Sequence, residues 1–232
     1  MSRTLEDFAG FTPGALDFLT GLAADNSRAY FDANRAVYER EVREPAKALV
    51  AELGEELRTR VDPRIGADPA RGLFRINRDT RFSKDKTPYK THVAMGFPLG
   101  GGRSDSPALY LSVAPTHVGT GVGFAPPDVD VWRAAVAGEE SGGAFAAALA
   151  AAEAAGGEPM DLGEPALKRV PRGYPPDHPR ADWLRRKGIR LGHRHAAPAE
   201  AHGPEMVAWA ADRLTAYAPM LRWLDEHVTG AC

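Results

Sequence analysis

The residues most able to do chemistry in this 232-residue chain are concentrated between Arg71 and Lys90. This stretch contains seven basic and two acidic residues, although the whole chain carries a net charge of −2. Four of the seven basic residues are arginines, whose planar guanidinium groups bind carboxylates and phosphates through paired hydrogen bonds. The stretch therefore predicts a site for an anionic ligand.

The first part of this stretch, Leu73–Arg78, is predicted to be a short strand. Alternation along a strand would separate its apolar side chains from its polar ones, with Phe74 and Ile76 opposite Arg75 and Asn77. The strand would thus turn Arg75 away from the apolar core and toward a ligand.

A polar loop follows the predicted strand, and Pro88 keeps the residue before it out of the helical region. We expect the aromatic side chains of Phe82 and Tyr89 to hold this loop in place, so that its guanidinium groups can face an anion. The alternative interpretation is a solvated loop in which each acidic residue pairs locally, Asp79 with Arg81 and Asp85 with Lys86.

A second basic segment lies between Glu164 and His195, with nine basic residues and three acidic ones. Because the rest of the chain is acidic, we expect the two basic segments to converge around one anion. The alternative is two independent solvated faces, since gathering like charges without a counter-ion is costly. Convergence predicts the following ligand-binding residues: Arg75, Arg78, Arg81, Lys86, Tyr89, Lys90, Arg172 and Tyr174.

The pattern of apolar residues predicts a single α+β domain over residues 1–232, with a central, mostly antiparallel sheet. Residues 1–60 are predicted to form N-terminal helices, 71–125 the sheet core with the basic motif, and 126–232 further helices and one more strand. The later strands are predicted at Thr91–Pro98, Ala108–Ala114, His117–Phe124 and Ile189–His195. Asn26 or Ser27 is expected to cap the second helix, and Pro45 and Pro219 are expected to interrupt two long helices.

Other chemistries find little support in the sequence. His193 and His195 would share one face of a strand, near His202, but no cysteine or carboxylate has ligand spacing with them. We therefore predict no metal site, no specific cofactor and no identifiable catalytic residue. The single cysteine, Cys232, excludes an intrachain disulfide. Because no apolar run reaches membrane-spanning length, we expect a cytoplasmic protein without a membrane partner.

Several motifs resemble those of the bacterial and fungal family called domain of unknown function 2461. They are Arg75–Lys90, Phe8–Phe11, Asp25–Phe31, Gly121–Phe124 and Lys168–Tyr174. The resemblance covers nearly the whole chain and departs from the family pattern at Tyr30, where the family usually has tryptophan. It implies a shared fold and a site at the central motif, and it implies no activity, cofactor or mechanism.

Three functions are consistent with these observations. The first is the binding, or also the conversion, of a small phosphorylated or carboxylated molecule, with electrostatic stabilisation by the arginines. The second is nucleic-acid binding by the same basic surface, although the acidic remainder of the chain opposes a broad footprint. The third is a structural or interaction role in which the motif is an internal ion-pair network. The sequence does not specify the ligand or the oligomeric state.

Overall fold

A four-stranded antiparallel sheet with helices before and after it forms the fold. The computed structural model describes residues 7–81, 83–100, 106–156, 164–196 and 202–230. The strands are β1 (Val93–Pro98), β2 (Ala108–Val113), β3 (His117–Phe124) and β4 (Ile189–Ala196), and they lie side by side in this order. The α+β class and the antiparallel sheet predicted from the sequence are confirmed.

The chain before the sheet is helical, and side-chain caps fix where its helices begin. The helices are α1 (Pro13–Ala24), α2 (Arg28–Ala33), α3 (Arg35–Val37), α4 (Glu44–Arg60) and the short α5 (Pro69–Gly72). The Thr12 hydroxyl accepts a hydrogen bond from the backbone N–H of Ala15, and the Ser27 hydroxyl accepts one from Tyr30. Of the two candidate caps for the second helix, Ser27 therefore performs the capping, which leaves Asn26 available for another contact.

Both predicted proline interruptions are present. Residues Tyr38–Arg43 form a π-helical turn directly before α4, and Pro45 occupies the first turn of α4. Near the C-terminus, Pro219 lies in the first turn of α10 (Ala218–Leu224), which is separated from α9 (Met206–Thr215). Proline is tolerated in the first turn of an α-helix because its missing N–H would have no partner there. Each of the two prolines therefore marks the beginning of an α-helix.

Between β3 and β4 the chain forms α6 (Val129–Ala137), α7 (Glu139–Gly156) and α8 (Ala181–Leu184). An aromatic cluster joins these helices to α10. Trp132 is fully buried, and its ring meets those of Phe145 and Trp223 edge-on at 5.9 Å between centroids. The Trp132 Nε1–H donates to the Trp183 carbonyl at 3.2 Å, so the buried indole is satisfied.

The two faces of the sheet differ in character. On the face that packs against the helices, Met95, Leu111 and the buried Thr120 occupy successive cross-strand positions. On the opposite face, the row that crosses all four strands is Gly96, Tyr110, Gly121 and Gly192. Tyr110 is thus the one large side chain in this row, since the other three positions are glycine.

The predicted strand at Leu73–Arg78 is wrong, because the segment changes its pairing partner halfway along. The backbone N–H of Phe74 donates to Ala94 of β1 at 2.9 Å, whereas the Ile76 carbonyl accepts from Lys90 at 2.8 Å. This change also separates two side chains that strand alternation had placed together. Ile76 is 7% exposed, whereas Phe74 is 41% exposed.

Within the described part of the chain, no helix is both long enough and apolar enough to cross a lipid bilayer.

Candidate functional site

The central basic motif folds back on itself to form a closed loop. Lys90 donates its backbone N–H to the Ile76 carbonyl, and Arg78 donates to the Pro88 carbonyl, both at 2.8 Å. Asn77 and Tyr89 pair between these two bonds. The two ends of the motif therefore lie side by side, which brings Arg75 next to Lys90.

Three of the predicted ligand-binding residues make contacts within this loop. Arg78 donates through Nη1 to the Asp85 carboxylate and to the Thr87 hydroxyl. Arg81 Nη2 donates to Asp79 Oδ2 at 2.7 Å, and Lys86 Nζ donates to the Thr80 carbonyl at 2.8 Å. The local pair of Asp79 and Arg81 is confirmed, but Asp85 pairs with Arg78 and not with Lys86.

Both carboxylates of the loop are held in their charged form. The Arg81 side chain lowers the pKa of Asp79 to about 2, aided by the Arg81 backbone N–H. The backbone N–H of Thr87 lowers the pKa of Asp85 to about 2, followed by the Arg78 guanidinium. Lowered pKa values mean that these contacts favour the folded loop above the unfolded aspartate pKa of about 3.9.

We expect Asp79 and Asp85 to titrate near pH 2, and the loop to lose their contribution as pH falls from about 3.9, the unfolded pKa, to about 2. Carboxyl carbon chemical shifts, followed by NMR from pH 7 to pH 1.5, would measure both pKa values. Arg78→Ala should raise the pKa of Asp85 and leave that of Asp79 unchanged. Titration of wild-type Asp85 near its ordinary value would contradict the observed network.

Asn26 and Tyr89 fasten the loop to the helical layer. The Asn26 side-chain amide accepts the Tyr89 N–H at 2.9 Å and donates to the Tyr89 carbonyl at 3.0 Å. The Tyr89 ring is 6% exposed and stacks on Phe31 of α2, with 4.5 Å between centroids and 15° between planes. Tyr89 therefore holds the motif as expected, whereas Phe82 lies outside the described residues.

A cleft of about 940 Å³ lies where the start and end of the loop face the helical layer. Its walls come from residues 31–47, 69–77 and 89–90. Five basic residues line it, accompanied by one acidic residue, Glu39; the basic residues are Arg35, Arg43, Lys47, Arg75 and Lys90. The motif thus contributes two of the five basic residues that line the cleft.

The charges on the helical wall are compensated, and those on the motif wall are not. Arg35 pairs with Asp32 at 2.6 Å, and the remaining two pairs are Arg43 with Glu39 at 2.7 Å and Lys47 with Glu44 at 2.6 Å. Within the described residues, the Arg75 side chain makes no hydrogen bond or ion pair. Lys90 Nζ donates at 2.6 Å to the Arg75 carbonyl, which carries no full charge.

The surroundings of Lys90 change the pKa of its amine. Burial lowers the pKa of the Lys90 amine below its ordinary value, and the nearby positive charge of Arg75 lowers it further. Two cations thus lie close together, with Lys90 partly buried and Arg75 exposed, and neither makes an ion pair with a carboxylate of the described residues. An anion bound between them would favour the charged form of Lys90 and so offset both effects on its pKa.

The sequence interpretation missed the helical wall of the cleft. The residues predicted to bind a ligand all lie in the two basic segments, and none of them lies in residues 31–47. The missed signal is a regular spacing of four, at Arg35, Glu39, Arg43 and Lys47. Side chains four apart lie on the same side of a helix, so this spacing was available in the sequence.

The second basic segment is used elsewhere in the fold. Arg172 and Tyr174 are not among the described residues that line the cleft; Arg172 is exposed, and Tyr174 is partly buried against the core. Arg180 donates through Nε to the Val136 carbonyl at 2.6 Å and so satisfies the end of α6. Arg185 pairs with Asp182. The described residues thus give no support to convergence of the two segments at the cleft.

A smaller cavity of about 250 Å³ lies beside α4 and α5 and has a different charge balance. Its two arginines, Arg58 and Arg71, pair with Glu55 at 2.9 Å and Asp68 at 3.6 Å. Because each cation there has its own carboxylate, this cavity offers less to an anion than the larger cleft does.

The histidines of β4 belong to a polar cluster between the sheet and α9–α10. His193 and His195 share one face of the strand, as predicted. His193 Nδ1 lies 2.6 Å from the Tyr217 hydroxyl, and His195 Nε2 lies 2.9 Å from the Thr120 hydroxyl. His202 contacts a different region through its carbonyl, which accepts the Phe11 N–H at 2.7 Å. Among the described residues, no three metal-ligating side chains are grouped to hold an ion.

A comparison with known protein families identifies the family of this chain. Residues 14–223 match the family described as conserved hypothetical protein (DUF2461), so the chain belongs to that family. The resemblance of its motifs is thereby confirmed over most of the sequence. Comparisons with the curated proteins and with the solved structures found no match.

Proposed function

We propose that the cleft lined by residues 31–47, 69–77 and 89–90 binds a small phosphorylated or carboxylated molecule. The observation that carries this proposal is the pair formed by Arg75 and Lys90, two cations without a carboxylate partner among the described residues. Lys90 is partly buried, and a charged group in such a place that has no counter-ion is costly unless a ligand supplies the opposite charge.

The ligand's anionic group would sit between the two motif cations, which donate hydrogen bonds from different directions. Arg75 offers a planar fork suited to two oxygens of one phosphate or carboxylate, and Lys90 offers a point charge. The Asn77 side chain also lines the cleft and could donate a further, neutral hydrogen bond. The three cations of the helical wall are each paired with a carboxylate, so the two motif cations supply the charge that the ligand would meet.

The other basic residues of the motif have a structural role, which differs from the binding role proposed for Arg75 and Lys90. Arg78, Arg81 and Lys86 hold the loop closed through contacts with Asp85, Asp79 and the Thr80 carbonyl. An internal ion-pair network, one of the three functions considered from the sequence, thus accounts for these residues and does not account for Arg75 and Lys90. The loop network positions the pair that binds.

The test is a thermal-shift titration of the wild-type chain with phosphate, pyrophosphate, citrate and a single-stranded oligonucleotide at constant ionic strength. A ligand at 100 times its dissociation constant stabilises the folded chain by about 2.7 kcal/mol, which for this size raises the midpoint by about 5–10 °C. A shift with a small anion supports the proposal. Binding of only the oligonucleotide, with a steep salt dependence, or of no anion at all, would refute it.

A further inference from the structure

Phe74 is an exposed aromatic side chain in a fixed position at the cleft. It lines the cleft and is 41% exposed. Among the described residues, it is the one large apolar residue with so much of its surface exposed. Exposed apolar area of this kind in a recess is the part of a surface that gains most when a ligand covers it.

The position of the Phe74 ring is set by three contacts with the sheet. Its backbone N–H donates to Ala94 of β1 at 2.9 Å. Its ring lies over Gly96, where an added Cβ atom would come within 2.9 Å of the ring, and it packs against Tyr110 at 6.1 Å between centroids. Because the ring is already held, a ligand that stacks on it would lose little of its binding energy to ordering the protein.

The neighbours of Phe74 extend an apolar surface beside the cations. Pro69, Leu73 and Ile76 line the same cleft as Arg75 and Lys90. A bare phosphate or a small carboxylate would satisfy the two cations and leave this apolar wall in contact with water. The cleft therefore has more apolar surface than a purely ionic ligand can use.

We propose that the ligand of this cleft carries a planar aromatic group joined to its anionic group, and that this aromatic group packs against Phe74. The inference rests on the proposed function, since it takes the anionic end to lie at Arg75 and Lys90. Aryl phosphates, aromatic carboxylates and nucleoside monophosphates share this chemistry. Phe74 is the residue that selects among anions.

Isothermal titration calorimetry with two matched ligand pairs tests this inference on the full chain. The pairs are methyl phosphate with phenyl phosphate, and ribose 5-phosphate with adenosine monophosphate. Aromatic stacking contributes about 1–3 kcal/mol, so the aromatic member of at least one pair should bind roughly 5-fold to 100-fold tighter. The pair that shows the larger gap distinguishes a simple aryl group from a nucleobase.

Two variants test whether the Phe74 ring causes the difference in affinity within each ligand pair. In Phe74→Ala the two members of a pair should bind within about twofold of each other, while the affinity for methyl phosphate stays unchanged. Phe74→Leu, which keeps an apolar side chain without a ring, should give an intermediate gap. Circular dichroism confirms that both variants fold, which is expected for so exposed a side chain.

The outcomes separate this inference from the function on which it rests. Equal affinities within both pairs in the wild type, or a gap that survives in Phe74→Ala, would overturn the aromatic inference and leave the anion site standing. If neither member of either pair binds, the proposed anion site itself fails.

Discussion

Arg75→Ala is expected to weaken the binding of phosphate by about 10-fold to 100-fold. The variant removes a charged hydrogen-bond donor, a contact that contributes about 1.5–3 kcal/mol. Arg75 has no carboxylate partner among the described residues and is exposed, so its loss should leave the fold intact. Calorimetric titration with phosphate, together with a thermal melt of the unliganded variant, measures both quantities.

Arg81→Ala is the matched control for this prediction. It removes the same charge from the same motif, but Arg81 is 76% exposed and pairs with Asp79 outside the cleft lining. Its phosphate affinity should stay within about twofold of the wild type, because a screened surface charge acts weakly at a distance. Equal losses in the two variants would mean that the motif attracts anions only through its total charge.

Asn26→Ala is expected to destabilise the fold by about 2–4 kcal/mol, because it removes both hydrogen bonds with the Tyr89 backbone and leaves those groups without side-chain partners. For a chain of this length the melting temperature should fall by about 5–15 °C. Phosphate affinity should fall as well, since Tyr89 and the adjacent Lys90 lose their fixed position against α2. Thermal melts and calorimetry on the same preparation measure the two effects.

Asn34→Ala provides the comparison for Asn26→Ala. The Asn34 side chain donates to the Tyr30 carbonyl at 2.9 Å, one turn away in the same helical region. Loss of this local bond should cost about 1 kcal/mol or less and leave phosphate binding unchanged. If both asparagine variants behave alike, the contact between Asn26 and Tyr89 does not hold the cleft together.

The regular elements of this fold follow closely from the sequence. β2 and β3 show strict alternation, and the prolines at 45 and 219 mark where helices must restart, so local rules decide these features. The segment Leu73–Arg78 also alternates, yet it forms no strand. Its hydrogen bonds go first to β1 and then to its own loop, and the choice between such partners depends on tertiary contacts that alternation does not encode.

The candidate site was predictable as a stretch of sequence and not as a set of residues. Arg75 and Arg78 are equally basic and three positions apart, but the turn geometry brings Asp85 to Arg78, whereas Arg75 makes no ion pair with the described residues. The position at which the loop closes therefore decides which of the two arginines remains available to bind a ligand. The helical wall was missed for a different reason, because its spacing of four has meaning only once a second surface faces it.

The π-helical turn at Tyr38–Arg43 has a consequence for the alignment of that wall. In an α-helix each residue rotates by about 100°, so positions four apart drift by about 40°, and Lys47 would lie about 120° around the axis from Arg35. A π-helical turn spans five residues per hydrogen bond and rotates less per residue, which opposes this drift. The local unwinding therefore keeps four charges in register along one side of the helix.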